Sequence, residues 1–120
     1  MMKSAAVRIE EQPAVSPMSL EREQAWLVQA AVAHLTGVAL KDLCATTRRG
    51  PKAAFARQIA MYLCHIVFRM NPTEVSRVFG RDPSTVVYAL RRIEELREQP
   101  DLDRTLDWLE AMLRRAGRRI

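Results

Sequence analysis

The side chains best placed to do chemistry lie between residues 81 and 92. Arg81, Asp82, Pro83, Ser84 and Thr85 run consecutively, Tyr88 follows, and Arg91 and Arg92 close the set. Together they offer hydroxyls, a carboxylate and cations, the groups that read a polar surface and hold a polyanion. They do not form a nucleophile with a base beside it, and no Ser/His/Asp or Cys/His arrangement is suggested by spacing elsewhere. His34 and His65 sit in largely apolar runs. Catalysis is therefore not expected, and binding is.

Cofactor and metal chemistry are not expected either. Cys44 and Cys64 are twenty residues apart with no second pair, which is not zinc-ligand spacing, and the two histidines do not complete a site. Both cysteines lie in apolar surroundings and are expected as buried, reduced thiols. A P-loop needs Gly-x-x-x-x-Gly-Lys followed by Ser or Thr, and Gly37, Gly50, Gly80 and Gly117 supply none. A nucleotide is therefore excluded as a partner of these residues. No run reaches the length of a membrane span, and the first residues lack the apolar core of a signal peptide, so the expected location is cytoplasmic and nucleoid-associated.

Charge sharpens the partner. The 120-residue chain carries a formal net charge of +5, and residues 48–100 alone hold ten Lys/Arg against five Asp/Glu. A basic excess concentrated in one block suits a polyanion, whereas an evenly spread one only solubilises.

These residues need elements to position them. Residues 1–18 hold Pro13 and Pro17 and no apolar period, and are expected as a disordered tail. Ser19 then reads as an N-cap. Trp26, Leu27, Ala30, Ala31, His34 and Leu35 recur at helical spacing, with Trp26 taken as packing, until Gly37 stops the helix. Thr46 to Lys52 is a polar, basic loop carrying Arg48, Arg49 and Lys52, which adjoin the next helix and suit phosphate contact. From Ala53 to Met70 the chain is apolar on most sides, as in a central buried helix, with Phe55, Ile59, Leu63, Ile66 and Met70 on one face.

Asn71-Pro72 and Asp82-Pro83 then repeat one device, a capping side chain followed by proline at the first helical position. Between them lie a short helix and Gly80. The second helix is expected from Pro83 to about Glu98, with Val86, Leu90, Ile93 and Leu96 inward, and Pro100 ends it. A short helix, a glycine turn and a longer helix make a helix-turn-helix. Ser84, Thr85, Tyr88, Arg91 and Arg92 fall away from the apolar stripe. Thr73, Ser76, Arg77 and Arg81 are then within reach of a phosphate backbone. A last amphipathic helix over about 102–115 aligns Leu102, Leu106, Leu109 and Leu113, leaving Trp108 and Met112 off the stripe. That stripe is expected to dock on the domain.

At these residues the chain resembles a known family. Ala56-Arg57-Gln58-Ile59-Ala60-Met61 and Phe79-Gly80-Arg81-Asp82-Pro83-Ser84-Thr85-Val86 look like the C-terminal DNA-binding domain of the bacterial replication initiator DnaA. The likeness is greatest to short stand-alone relatives found in alphaproteobacteria and covers about residues 20–100. The family motif in the turn is Arg-Asp-His-Thr-Thr-Val, matched by Arg81, Asp82, Thr85 and Val86, with Ser84 for Thr. The resemblance implies that Asp82, Ser84 and Thr85 face bases in the major groove. It implies that Arg57 and Gln58 touch backbone, and that Arg48 and Arg49 lie beside the minor groove. Pro83 replaces the family His and offers a base apolar contact alone, for example with a thymine methyl. Tyr88 replaces a second His, and Phe55 stands where the arginine that enters the minor groove would align. The turn is one glycine shorter. These departures imply a recognition sequence related to, but distinct from, the initiator's box.

The expectation is thus an all-α fold of five or six helices with a helix-turn-helix, like the Trp repressor and domain IV of DnaA. The expected layout is a tail over 1–18, the DNA-binding domain over 19–100, and an amphipathic helix with a basic end over 101–120. The expected function is sequence-specific binding of double-stranded DNA without ATP hydrolysis, in transcriptional regulation or modulation of replication initiation. The alternative is a helical module for a replication or transcription protein. The C-terminal helix is the surface offered to a homodimer or protein partner.

Overall fold

A computed structural model describes residues 17–45 and 50–118. Among them are six helices and no strand: α1 Pro17–Thr36, α2 Leu40–Leu43, α3 Pro51–Phe68, α4 Pro72–Phe79, α5 Pro83–Leu96 and α6 Pro100–Gly117. The fold is all-α, as expected. Of the expected tail, residues 1–16 lie outside the described residues. Helix α1 already begins at Pro17, so Ser19 falls inside the first turn and is not the cap.

The centre is α3, which touches each of the other five helices. Its Ala53, Ala56, Ile59, Ala60, Met61, Tyr62, Leu63 and Cys64 are all buried. The small residues let neighbouring backbones approach closely, and the large ones fill the gaps between them. Phe55 and Ile66 sit at the margin, half-buried.

Helix α1 corrects the expected face. Ala25, Val28 and Val32 are buried with Gln29, whereas Trp26 is 59% exposed and Leu35 45%. Helical period alone fits either of two adjacent stripes. Close packing of α1 on α3 selects the stripe of small side chains and leaves the indole outside.

The helix-turn-helix is built by local chemistry. The Asn71 side chain accepts from the Glu74 N–H, and the Glu74 carboxylate accepts from the Asn71 N–H, each at 2.8 Å. This reciprocal cap, with Pro72 behind it, starts α4. Gly80 ends α4 at φ 62°, a left-handed conformation that costs an L side chain about 1 kcal/mol. The Arg81 N–H returns to the Ser76 carbonyl at 3.0 Å and tightens the turn. Asp82 then caps α5 by accepting from the Ser84 N–H at 2.9 Å.

Val86, Ala89 and Ile93 point inward and are fully buried, with Leu90 and Leu96 half-buried beside them. Burying Val86 and Ile93 contributes about 1.5–3 kcal/mol each. Helix α5 ends at Leu96, two residues before the expected end, and Pro100 opens α6 instead of merely closing α5. Leu106, Leu109 and Leu113 are buried against the domain, Leu102 is half-buried, and α6 packs on both α1 and α3. The expected docking of that stripe is what the structure shows.

One arginine ties these last elements together. Arg97, just past α5, donates from Nε to Asp103 at 2.7 Å, and its other nitrogens reach Asp107 and Glu110. Its Nη1 also donates to the Tyr62 hydroxyl at 3.1 Å, and that hydroxyl donates to Glu94 at 2.8 Å. Burial works against the Arg97 charge, but its bonds to Tyr62, Asp103 and Glu110 outweigh this and hold it above the usual arginine range. Burial also pushes the Tyr62 phenol up to about 12, so it remains a donor.

Candidate nucleic-acid interface

The start of α5 stands clear of the protein. Asp82, Pro83, Ser84 and Thr85 are exposed, and Tyr88 is 57% exposed. The cap supplies two bonds to one carboxylate oxygen: Ser84 donates from Oγ at 2.7 Å and from N at 2.9 Å. The bonds from Ser84 hold the Asp82 carboxyl below its ordinary value, so it stays ionised at neutral pH. Pro83 has no N–H, and the Thr85 and Val86 N–H groups return to the Asp82 carbonyl at 3.0 and 3.2 Å, so the first turn is internally satisfied and offers a partner its exposed side chains and the positive end of the helix dipole.

Beside this turn, Ala54, Arg57, Gln58, Met61, Arg81 and Thr85 line a recess of about 210 Å³. It lies between the first turns of α3 and the first turn of α5, so it adjoins the exposed start of α5. Gln58 is half-buried and accepts from Arg92 Nη1 at 3.2 Å. The Arg92 guanidinium also sits 5.6 Å above the Phe55 ring. Phe55, Gln58 and Arg92 thus form one stacked group, which the linear sequence does not announce. Arg91 and Arg92 are both exposed, and among the described residues neither is paired with Glu95.

Two arginines differ from expectation. Arg57 is 5% exposed, and its guanidinium faces inward. Its Nε donates to Leu43 O at 3.1 Å and its Nη2 to Asp42 O at 2.8 Å. These are the carbonyls at the end of α2, which the helix itself leaves unpaired. Burial lowers the Arg57 pKa, and the charge of nearby Arg81 lowers it further. Arg57 therefore acts first as a strut for the α2 end, not as a free phosphate ligand. Arg81 does similar work on the same stretch: its Nη2 donates to Ala45 O at 2.6 Å. Its Nε is buried without a partner among the described residues. Arg81 thus holds the turn before α5 to the end of α2, and Arg57 holds α3 to it, although sequence alone placed both side chains on DNA.

Ser76 is also corrected. It is buried, and its hydroxyl donates to Thr73 O at 2.7 Å, so it is not available to a phosphate. Thr73, Arg77 and Lys52 are exposed, with Arg77 near the carboxylates of Glu21 and Glu74. Arg48 and Arg49 lie outside the described residues. Cys64 is fully buried and its thiol is pushed far up by burial. Cys44 is instead exposed, with Sγ 3.6 Å from Gln29 Oε1, against the expectation that both thiols are buried. Among the described residues no helix is long and apolar enough to cross a membrane.

A capped short helix, a left-handed glycine turn and a capped second helix, braced on a central helix, define a helix-turn-helix domain. Residues 26–93 match the family described as the bacterial dnaA protein helix-turn-helix, more than half of the chain, and the chain belongs to that family. This is the family of the C-terminal DNA-binding domain of the replication initiator, with the rest of that protein absent from the match.

The chain is similar to the chromosomal replication initiator protein DnaA of Tropheryma whipplei (strain Twist). It is 44% identical over 59 residues, covering 49% of this chain and 12% of that protein. Against the initiator protein DnaA of Thermus thermophilus it is 31% identical over 102 residues, 84% of this chain and 22% of that protein. A crystal structure of a DNA replication initiation factor superposes with a TM-score of 0.72 at 30% identity, covering 81% of this chain and 30% of that one. The chain thus spans under a quarter of the length of these curated relatives.

Proposed function

We propose that the chain binds double-stranded DNA sequence-specifically, with α5 entering the major groove by its first turn, and that it does so without catalysis. The observation that carries this reading is the division of α5. Val86, Ala89 and Ile93 are fully buried, while Asp82 to Thr85 and Tyr88 face solvent beside a recess that Arg57 and Arg81 help to line. A helix anchored on one side and presenting small polar groups and a positive dipole end on the other is a groove reader.

In this reading Asp82, Ser84, Thr85 and Tyr88 meet base edges, with Pro83 against a thymine methyl. Arg48, Arg49, Lys52, Thr73, Arg77, Arg81, Arg91, Arg92 and Gln58 serve the backbone, and Arg57 positions the α2 end behind them. The role is a transcriptional regulator or a modulator of replication initiation, occupying sites related to DnaA boxes in the nucleoid. Selection of bound sequences from a random duplex pool tests it. A short consensus sharing part of the initiator's box is expected, and failure to retain any duplex at low salt overturns the reading.

A second reading has one observation in its favour. Trp108 on α6 is 57% exposed although the helix is docked. Exposed tryptophan is enriched at protein interfaces, so α6 is the face for a replication or transcription protein, or for a second copy. Protein that ignores duplex DNA but binds such a partner through Trp108 would favour it.

A further inference from the structure

The far end of α3 carries a second cationic surface that the reading above does not use. Gln24, Ile66, Val67, Phe68, Arg69, Arg114, Gly117 and Arg118 surround an open recess of about 400 Å³, and three of these are arginines. Arg69 and Arg118 are exposed and have no ion-pair partner among the described residues, and Arg114 makes a 3.4 Å contact with Glu110, which Arg97 already holds.

Two features show that this arrangement is constructed. Arg69 caps α3 at φ 58°, in the left-handed region where glycine or asparagine is the usual choice. Among the described residues the Arg69 side chain makes no hydrogen bond or ion pair that would offset that strain. Gly117 supplies the second feature. A Cβ there would lie 2.5 Å from Phe68 Cε1, so the absent side chain lets the end of α6 close onto the end of α3. This approach brings Arg114 and Arg118 to Arg69. The two helix ends contribute roughly half a negative charge each, which three guanidinium groups exceed.

We infer that this recess holds the phosphate backbone of a second segment of duplex DNA, so that one chain bridges two segments. The inference rests on the DNA reading of α5. From Arg57 to Phe68 the axis of α3 rises by roughly 16 Å, so this surface lies at the other end of the helix from the reading edge. The rim is guanidinium, and the recess is broad and open, which suits a rounded phosphate backbone better than a clamped carboxylate. Once α5 holds one segment, other segments of the same DNA are present at high effective concentration, so a weak second site suffices.

The test uses the full chain. A duplex carrying the preferred sequence is immobilised and saturated with protein, and a fluorescent duplex of unrelated sequence is added. Wild-type protein is expected to retain the second duplex. The variant Arg69→Gly/Arg118→Ala should retain about tenfold less, while its hold on the immobilised duplex stays within about twofold. Arg69→Gly alone should raise the melting temperature because it relieves the left-handed cap, so lost bridging cannot be laid to misfolding. Retention that survives both substitutions belongs to a dimer and overturns the inference, as does saturated wild-type protein that retains nothing. If poly-glutamate occupies the recess and no second duplex is held, the surface is a protein site and the inference fails. Protein that does not bind the immobilised duplex at all overturns the DNA reading as well.

Discussion

Tyr88 is the residue on which the orientation of the interface turns. It lies one helical turn from Ser84 and Thr85 and is more than half exposed, where a core tyrosine would be hidden. Tyr88→Phe should weaken binding to the selected site by about 1 kcal/mol, near fivefold, if the hydroxyl makes one hydrogen bond. Fluorescence anisotropy with matched and scrambled duplexes measures it, and unchanged affinity and preference in Tyr88→Ala would move the DNA face elsewhere. Asp82 makes a prediction of a different kind. Bonds from Ser84 depress its folded pKa, so it holds its proton less tightly in the folded protein than in the unfolded chain. Its contribution to stability is present above the ordinary aspartate range and lost as pH falls through the depressed value. Carboxyl titration by NMR should therefore place Asp82 below an exposed aspartate, and Asp82→Ala should abolish that part of the acid dependence. A titration at the ordinary value would mean that the cap is not formed in solution.

At the scale of elements, the starts and the turn of the helix-turn-helix were readable, as were the buried stripes of α5 and α6, whereas the start and face of α1 were not. Asn71-Pro72, Gly80 and Asp82-Pro83 fix α4, the turn and α5 through bonds that span five residues or fewer, and such bonds are written in local sequence. The buried face of α1 was not readable. Trp26 and Leu35 fit a helical stripe as well as Ala25, Val28 and Val32 do, and the choice depends on how closely α3 approaches. Arg57 was illegible for the same reason, because its partners are carbonyls fourteen and fifteen residues away. The Arg97 clamp, spanning from Tyr62 to Glu110, had no sequence signal at all. It yields a prediction about α6. Arg97→Met should destabilise the domain by about 2–3 kcal/mol, below the 3–5 of a fully buried pair because Asp103 and Asp107 are 43% and 64% exposed. Urea unfolding measures this, and a loss under about 0.5 kcal/mol would show that the leucine stripe alone holds α6.

For the whole molecule, the decisive number is how many cations DNA displaces. If about five of the six candidates Arg48, Arg49, Lys52, Arg57, Arg77 and Arg81 are used, the sequence predicts a slope of log affinity against log salt near −4 to −5. The structure commits Arg57 to the α2 end and part of Arg81 to Ala45. Fewer free charges lower the expected slope to about −3 to −4, read from binding isotherms between low and physiological salt. A slope near zero would sink the electrostatic account, and Arg57→Lys should leave the slope unchanged while lowering stability. Lysine keeps the charge but cannot reproduce the two-carbonyl fork.

The two cysteines give the molecule an internal clock. Cys44 is exposed, and Cys64 is sealed in the last third of α3 with its thiol held protonated. A thiol reagent should therefore label the chain in two phases, one immediate and one waiting on the opening of the central helix. Since α3 touches every other helix, that wait times the opening of the whole domain. Bound duplex should lengthen it by mass action, so binding becomes visible as a delay at a residue that never meets DNA. Labelling of Cys64 as fast as Cys44 would mean that the centre of the fold opens locally.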